Sequence, residues 1–551
     1  MKQRVIKIHP DDNVLVALTN LEPGETVQCE GIDYLVTEPV EAKHKMTTHD
    51  LYTGDPVYMY GVLVGKAKQP IQAGGVVTTF NLKHATDAYS PENHQAPSWT
   101  APDVTPWANR TFMGYHRADG KVGTANYWLV IPLVFCENRN IEVLEEALVQ
   151  DLGYARQRTY RNQTQELISL VSAGKTVDDI LQADLQTALA DHRRPRLFPN
   201  IDGVKFLSHE GGCGGTRQDA QALCGLLAGY ITHPNVAGAT VLSLGCQNAQ
   251  VAMLQEEIQQ RDPHFGKPLF VLEQQKVGTE ESLISQALRQ TFAGLMQANA
   301  NVRKPAPLSK LCIGLECGGS DGFSGISANP MIGYTSDLLV GLGARVILSE
   351  FPELCGVEQE LCERCVDSET AGRFSTLMST YADRAQAVGS GFDMNPSPGN
   401  IRDGLITDAI KSAGAAKKGG SSPVVAVLDY PEPCVKPGLN LLCTPGNDVE
   451  STTAEVGSGA NVVLFTTGLG TPTGNPIAPV VKISTNTALA RRMPDIIDFN
   501  AGSIIEGDET LKEAGERMLD YIIGVASGEI EVSAVRHGQD DFIPWKRGVS
   551  L

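Results

Sequence analysis

The chain has 551 residues, and 64 Asp+Glu against 45 Lys+Arg give a net charge of −19. With 42% hydrophobic and 20% charged residues, the composition suits a soluble globular protein and argues against intrinsic disorder. The acidic balance argues against a nucleic-acid partner, which would need a basic face to neutralise phosphates. No apolar run reaches the roughly 18 residues of a membrane-spanning helix, and Met1–His9 has no secretory apolar core, so no membrane association and a cytoplasmic location are expected. The 12 Cys then read as reduced thiols or metal ligands. At about 100–200 residues per domain, the length predicts about three domains.

Residues 1–82 hold short Val/Ile/Leu runs broken by turns at Asp11–Asn13, Glu22–Glu25, Thr53–Pro56 and Gln72–Gly75, which predicts a small all-β module. Residues 83–110, rich in Pro, Ser, Asn and Thr, read as a linker. From 111 to 303, apolar runs at Tyr127–Pro132, Val204–Leu207, Ala239–Leu244 and Leu269–Leu272 predict strands. Helical periodicity covers Ile141–Leu152 and Thr164–Ala173. From 304 to 551 the alternation repeats, with strands at Leu311–Leu315, Ala344–Ser349, Val424–Leu428 and Val462–Thr466 and a helix at Glu509–Ala526. The expected architecture is therefore α/β and multidomain: a β module, then two Rossmann-like layers with largely parallel sheets. In such sheets ligands bind beyond the carboxyl ends of the strands.

Four cysteines follow predicted strands in turn-rich surroundings: Cys136 after Ile131–Phe135, Cys213 in Gly211-Gly212-Cys213-Gly214-Gly215, Cys246 in Gly245-Cys246-Gln247-Asn248, and Cys317 in Glu316-Cys317-Gly318-Gly319-Ser320-Asp321. Thiolates on converging loops suit iron or zinc; the alternative is a set of unrelated small core residues. Cys362 and Cys365 form an isolated CxxC in helical surroundings and read as structural. The turns Gly468–Gly474 and Asn395–Asn400 could present backbone N–H groups to an anion or be ordinary tight turns. His44, between Lys43 and Lys45, sits in a cationic loop suited to an anionic substrate or simply to solvent. His209, four residues before Cys213, is a candidate ligand or base.

Taken together, Ile8–Ala17, His44-Lys45, Tyr60-Gly61, Gly114-Tyr115, Arg117, Asp119-Gly120, Cys136, Ser208-His209, Cys213, His233-Pro234-Asn235, Gly245-Cys246, Gly314–Gly322, Ala328-Asn329-Pro330, Glu350, Pro352-Glu353, Asn395–Asn400, Lys411-Ser412 and Gly470-Thr471-Pro472 resemble, in order, the altronate/galactarate dehydratase family. The resemblance covers nearly the whole chain. It implies an N-terminal SAF-type β-clip domain and a hydro-lyase of hexuronate catabolism that converts a hexonate such as D-altronate to 2-dehydro-3-deoxy-D-gluconate and water. Alternatives are a dehydratase of galactarate or another sugar acid, a sulfo-lyase-like enzyme, or a non-catalytic sugar-acid-binding protein. The partner implied is a small-molecule sugar acid, and a homo-oligomer, a dimer first, is expected. The family's iron dependence implies Fe²⁺ near Cys213, Cys246 and Cys317, with Cys136 or His209 close by. An iron–sulfur cluster, Mn²⁺, or a metal on Glu316, Asp321 and Glu350 are the other options. His44, His209 and Glu316 are the expected catalytic groups; Asn126, Ser320, Asp321, Asn395, Ser397, Asn400 and Thr471 are the expected substrate contacts. Ala125 and Leu469 stand where the family often carries Arg, which bears on which sugar acid is recognised. An apparent insertion covers residues 151–199.

Overall fold

The computed structural model describes residues 3–93, 98–155, 159–185 and 195–551. The N-terminal module is built from short antiparallel strands. Val5–Ile6, Val14–Ala17, Lys45–Thr47 and Val76–Val77 form one sheet, Thr26–Cys29 and Ile32–Leu35 a hairpin, and Pro56–Met59, Val62–Ala67 and Leu82–Lys83 a third group. Val5, Leu15, Leu21, Val36 and Met46 fill its small core. Such a core stays thin because each strand offers only two or three inward positions.

The central layer has four parallel strands: β1 (Tyr127–Pro132), β2 (Gly203–Phe206), β3 (Val236–Ser243) and β4 (Leu269–Glu273), in the order β2-β1-β3-β4. β1 and β3 are buried throughout, which explains their unbroken apolar runs. Trp128 of β1 is the largest fully buried side chain, and its ring dictates a glycine on the helix above it. A Cβ at Gly294, within the helix Glu280–Ala298, would lie 2.0 Å from the indole. Such a glycine costs a helix about 1 kcal/mol, so the packing of Trp128 outweighs propensity here. The insertion contributes helices Thr159–Ser172 and Val177–Leu181; its residues 156–158 and 186–194 lie outside the described residues.

The C-terminal layer has seven parallel strands: β5 (Cys312–Cys317), β6 (Arg345–Leu348), β7 (Val424–Leu428), β8 (Gly438–Leu442), β9 (Val462–Thr467), β10 (Val480–Ser484) and β11 (Phe499–Asn500). Their order is β7-β8-β6-β5-β9-β10-β11. The winding reverses between β5 and β9, so the crevice beyond their carboxyl ends is the default ligand position.

The two layers are tied together. Lys304–Pro307 pairs antiparallel with Thr111–Gly114, so the strand that opens the third segment completes a ribbon begun by the second. Beyond the strand residue Lys83, the described part of 83–110 has only a short 3-10 turn at Pro91–Asn93 and a turn over 105–109, within which Trp107 donates from its indole to Asp520 at 2.8 Å. Among the described residues no helix is long and apolar enough to cross a membrane.

Candidate functional site

Two strand-end edges gather the candidate reactive side chains. At the C-terminal edge, Cys317 closes β5, and Glu350 and Glu353 follow β6. One donor atom from each lies within 4.8 Å of the others. Two lysines enter this acid group: Lys418 Nζ lies 2.9 Å from Cys317 Sγ and 2.7 Å from Glu350, and Lys411 pairs with Glu353 at 2.6 Å. All three acids and Lys418 are buried. Burial, then Glu350 and Glu353, push the Cys317 thiol well up. Burial opposes the charge on Lys418, yet Cys317 and Glu350 hold its pKa well above the ordinary lysine value. Burial likewise raises Asp448 to about 7, helped by Glu350 and Glu353. Glu350 itself has φ 63, a left-handed conformation that a non-glycine residue adopts at a cost; it brings Oε2 to 3.3 Å from the Cys317 N–H.

The N-terminal module covers this edge. Lys43 bonds Asp321 at 3.0 Å and Asp403 at 2.7 Å, and Lys45 donates to the carbonyls of Lys43 (3.0 Å) and Gly404 (2.5 Å). Lys45 is fully buried, and that burial pulls its pKa down to about 7. His44 between them is half-buried, and burial and Lys45 lower its pKa, so the neutral ring prevails at neutral pH.

Most of the expected substrate contacts gather here, but their polar groups hold the site together. Asn395 Oδ1 accepts from Lys411 at 3.0 Å. Ser397 and Asn400 form a capping box on the short helix Pro398–Arg402, and Asn400 Nδ2 donates to the Ser320 carbonyl at 2.7 Å. The turn after β9 does not offer its N–H groups to an anion, because those of Gly470 and Thr471 point to Thr467 Oγ1 at 2.9 and 3.2 Å. Glu316 lies behind the edge, not on it. Ser349 and Ser451 donate to its carboxyl at 2.9 and 3.1 Å, and burial, then Glu350 and Glu455, raise its pKa well above the carboxylate range. Asn126 is at the wrong end: it precedes β1, at the amino edge, where Arg117 (2.9 Å) and the Asn200 carbonyl (2.7 Å) occupy its amide. Asp321 pairs with Lys43, and the donor group gathered within 4.8 Å at this edge, Cys317 with Glu350 and Glu353, includes neither Asp321 nor Glu316.

The second edge belongs to the central layer. Cys136 follows β1, Cys213 follows β2 and Cys246 follows β3, three strands that are neighbours in the sheet. Of the 12 cysteines these three are the exposed ones. The Cys213 loop touches both others: Phe135 N–H donates to the Gly211 carbonyl at 3.0 Å, and Ala249 N–H to the Gly212 carbonyl at 2.9 Å. Gly212 has φ 98, and a Cβ there would meet the Leu133 carbonyl at 2.4 Å; only glycine lets these loops lie so close. The expected grouping of Cys317 with these three is therefore corrected, because its thiol is enclosed in the other layer by Lys418 and two glutamates. His209 is corrected as a base. Its Nε2 donates to the Pro132 carbonyl at 2.7 Å, Gly211 N–H donates to its Nδ1 at 3.0 Å, and burial pushes its pKa down to about 4. Both ring nitrogens are committed to pinning the Cys213 loop onto the end of β1.

A cavity of about 650 Å³ opens beside this edge, walled by Cys213, Asn138, Asn248, Trp545 and Lys546. The C-terminal segment is the seam between the two edges. Asp540 pairs with Lys205 of β2 at 2.7 Å, and Asp541 accepts the Gly474 N–H at 2.9 Å. Leu551 N–H donates to the Gly214 carbonyl at 2.9 Å. The Trp545 ring packs on Tyr381, which packs on Phe392, three residues from Asn395.

Sequence reasoning missed Lys418 altogether and noted Lys411 in a family motif without giving it a role. Their signal was weak: Lys418 sits in an Ala/Gly-rich stretch, Ser412–Gly420, whose small side chains mark close packing around a buried charge.

Three family models match consecutive parts of the chain: the altronate/galactarate dehydratase SAF domain over residues 3–85, the second domain of D-galactarate dehydratase/altronate hydrolase over 114–299, and the D-galactarate/altronate dehydratase C-terminal domain over 308–550. Among curated relatives, the altronate dehydratase of Bacillus subtilis (strain 168) is 34% identical over 553 residues, covering 99% of both chains. That of Escherichia coli (strain K12) is 34% identical over 551 residues, again covering 99% of both. The galactarate dehydratase (L-threo-forming) of Escherichia coli (strain K12) is 30% identical, covering 95% of this chain and 93% of its own. From the β module to the last strand, then, this chain belongs to the altronate/galactarate dehydratase family.

Proposed function

We propose that this chain dehydrates a hexonate, D-altronate, to 2-dehydro-3-deoxy-D-gluconate and water. The observation that carries the reading is the end-to-end match to two altronate dehydratases at 34% identity. In this reaction a base takes the proton from the carbon beside the carboxylate. The neighbouring carbon–oxygen bond breaks, its hydroxyl takes up a proton and departs as water, and the enol left behind tautomerises to the keto acid. Removing that proton builds a second negative charge next to the carboxylate, so the site must supply positive charge or a Lewis acid and a base that is unprotonated at working pH. Lys43, paired with Asp321 and Asp403, and Lys411, paired with Glu353, line the covered edge as donors rather than as surplus charge, and the half-buried neutral ring of His44 is the accessible base. Lys45, enclosed and donating to two carbonyls, sets the polarity of that loop.

Iron is the proposed metal. The Cys317 group fits it poorly, since ammonium groups already compensate its acids. Cys136, Cys213 and Cys246 fit it well: three exposed soft donors on touching loops. Iron held there would supply a Lewis acid for a substrate oxygen.

The test is turnover of D-altronate and galactarate by anaerobically purified protein with added Fe²⁺, read by keto-acid formation. The expected result is a kcat/KM for D-altronate at least about 100-fold above that for galactarate. Turnover of galactarate alone, or of no sugar acid, overturns the reading.

A further inference from the structure

We propose that Cys136, Cys213 and Cys246 hold a cubane iron–sulfur cluster, one thiolate on each of three irons, with the remaining iron left without a cysteine ligand beside the cavity. The inference rests on the reading of an iron-dependent dehydratase and specifies the form the iron takes.

Three observations carry it. The first is selection: eight of the 12 cysteines are buried and Cys355 is intermediate, while the three exposed ones all follow adjacent parallel strands at one edge. A buried cysteine is explained by packing; three exposed ones at a single sheet edge are not. The second is the scaffold. The Gly211–Gly212 turn is bonded to the Cys136 loop on one side and the Cys246 loop on the other. His209 fastens that turn to the end of β1, and Asn248 Nδ2 reaches the Gly215 carbonyl at 3.3 Å. The three loops are thus held as one rim, as a rigid multi-iron ligand set requires.

The third is spacing. A single ion with metal–sulfur bonds of about 2.3 Å needs its thiolates about 4 Å apart. Among the described residues the donor triplets gathered within 4.8 Å are Cys317–Glu350–Glu353 and His84–Cys355–Asp408, and neither includes these thiols. A cube tolerates wider spacing, because each thiolate meets a different iron. The exposed thiols share their edge with a cavity of about 650 Å³ walled in part by Cys213, a volume within the range of small-molecule sites.

The experiment uses the full chain, purified anaerobically, with iron, acid-labile sulfide, visible absorption and electron paramagnetic resonance as readouts. Expected are about four irons and about four sulfides per chain, a brown absorption bleached by dithionite, and a paramagnetic three-iron signal after mild oxidation. Cys136→Ser, Cys213→Ser and Cys246→Ser should each lose most of the sulfide and the absorption, while Cys317→Ser keeps both. The wild-type sulfide content decides the matter even where a variant folds poorly. Iron without sulfide, or a spectrum abolished by Cys317→Ser and kept by Cys213→Ser, overturns the proposal. A protein with sulfide and the spectrum but no D-altronate turnover upholds the cluster and rejects the substrate; turnover without sulfide does the reverse.

Discussion

The two strand-end edges solve opposite problems with the same residue type. At the C-terminal edge Cys317 is enclosed, and each acid beside it meets a lysine: Lys418 for Cys317 and Glu350, Lys411 for Glu353. At the central edge Cys136, Cys213 and Cys246 are exposed, and backbone bonds together with His209 and Asn248 tie their loops to one another. A buried charge must be compensated from within the chain, so the first edge is internally satisfied and stiff. An exposed soft donor is left for an outside partner, so the second edge is preformed and open. A thiol after a parallel strand is therefore not a sufficient sign of a metal ligand; what surrounds it decides.

This contrast is most sharply broken through stability. Lys418→Met leaves the Cys317 and Glu350 acids without their ammonium, and a loss of about 3–5 kcal/mol is expected in urea unfolding. Cys246→Ser, in iron-free protein, should stay within about 0.5 kcal/mol of the wild type, as exposed positions do. A small effect at Lys418, or an equal one at Cys246, would erase the distinction.

The two layers should also respond oppositely to pH. In the central layer His233 is buried, its Nε2 donating to the Ala460 carbonyl at 3.1 Å, and burial pushes its pKa down from 6.5 to about 3. Below the unfolded value of 6.5 the unfolded chain takes up a proton the folded chain refuses, so this residue lowers stability as pH falls, by about 2 kcal/mol between 6.5 and about 5. In the C-terminal layer burial raises Glu455 from 4.5 to about 8. Its contribution is complete below the unfolded value of 4.5 and is lost as pH rises toward 8. Unfolding midpoints measured across pH should show Glu455→Gln gaining on the wild type with rising pH, and His233→Gln gaining with falling pH relative to its own deficit at neutrality. Parallel curves for variant and wild type would refute the assignment.

The sequence carries the layers better than the edges, for a physical reason. Tyr127–Pro132 and Val424–Leu428 are strands at the bounds expected from their apolar runs; the first is buried throughout, as a central parallel strand must be, and the second, at the sheet edge, is buried at its ends and partly buried between them. The strand Val480–Ser484 was passed over, since the fully buried Lys482 in its middle breaks the apolar run. The edges depend on partners far apart in the chain. Lys418 meets Cys317 across 101 residues, and Lys43 meets Asp403 across 360; no local pattern encodes either. His209 shows the complementary failure: its position before Cys213 suggested a ligand, but burial leaves it a neutral ring with both nitrogens bonded. Family motifs located Asn395–Asn400 and Gly318–Gly322 correctly in the chain while leaving unstated whether each polar group faces the substrate or its neighbours.

Ser397 gives the smallest and most discriminating test of that last distinction. Its hydroxyl accepts the Asn400 N–H at 3.4 Å and lies 2.9 Å from Asn400 Oδ1, while the Ser397 N–H donates to the same oxygen at 3.3 Å. Those bonds close the first turn of Pro398–Arg402 and so orient Asn400, whose amide holds the Ser320 carbonyl beside Asp321. A cap acts through the backbone, so Ser397→Ala should cost about 1 kcal/mol of stability and lower kcat/KM only by the small amount that a loosened turn entails. Ser397→Thr keeps a capping hydroxyl and should restore the stability. A hydroxyl that instead touches the sugar acid would behave differently: Ser397→Ala would leave the unfolding midpoint in place, drop kcat/KM by about 100-fold or more, and find no rescue in the bulkier Thr. The split between midpoint and kcat/KM in this one pair of variants thus tells whether the edge recognises its substrate through this turn or merely builds on it.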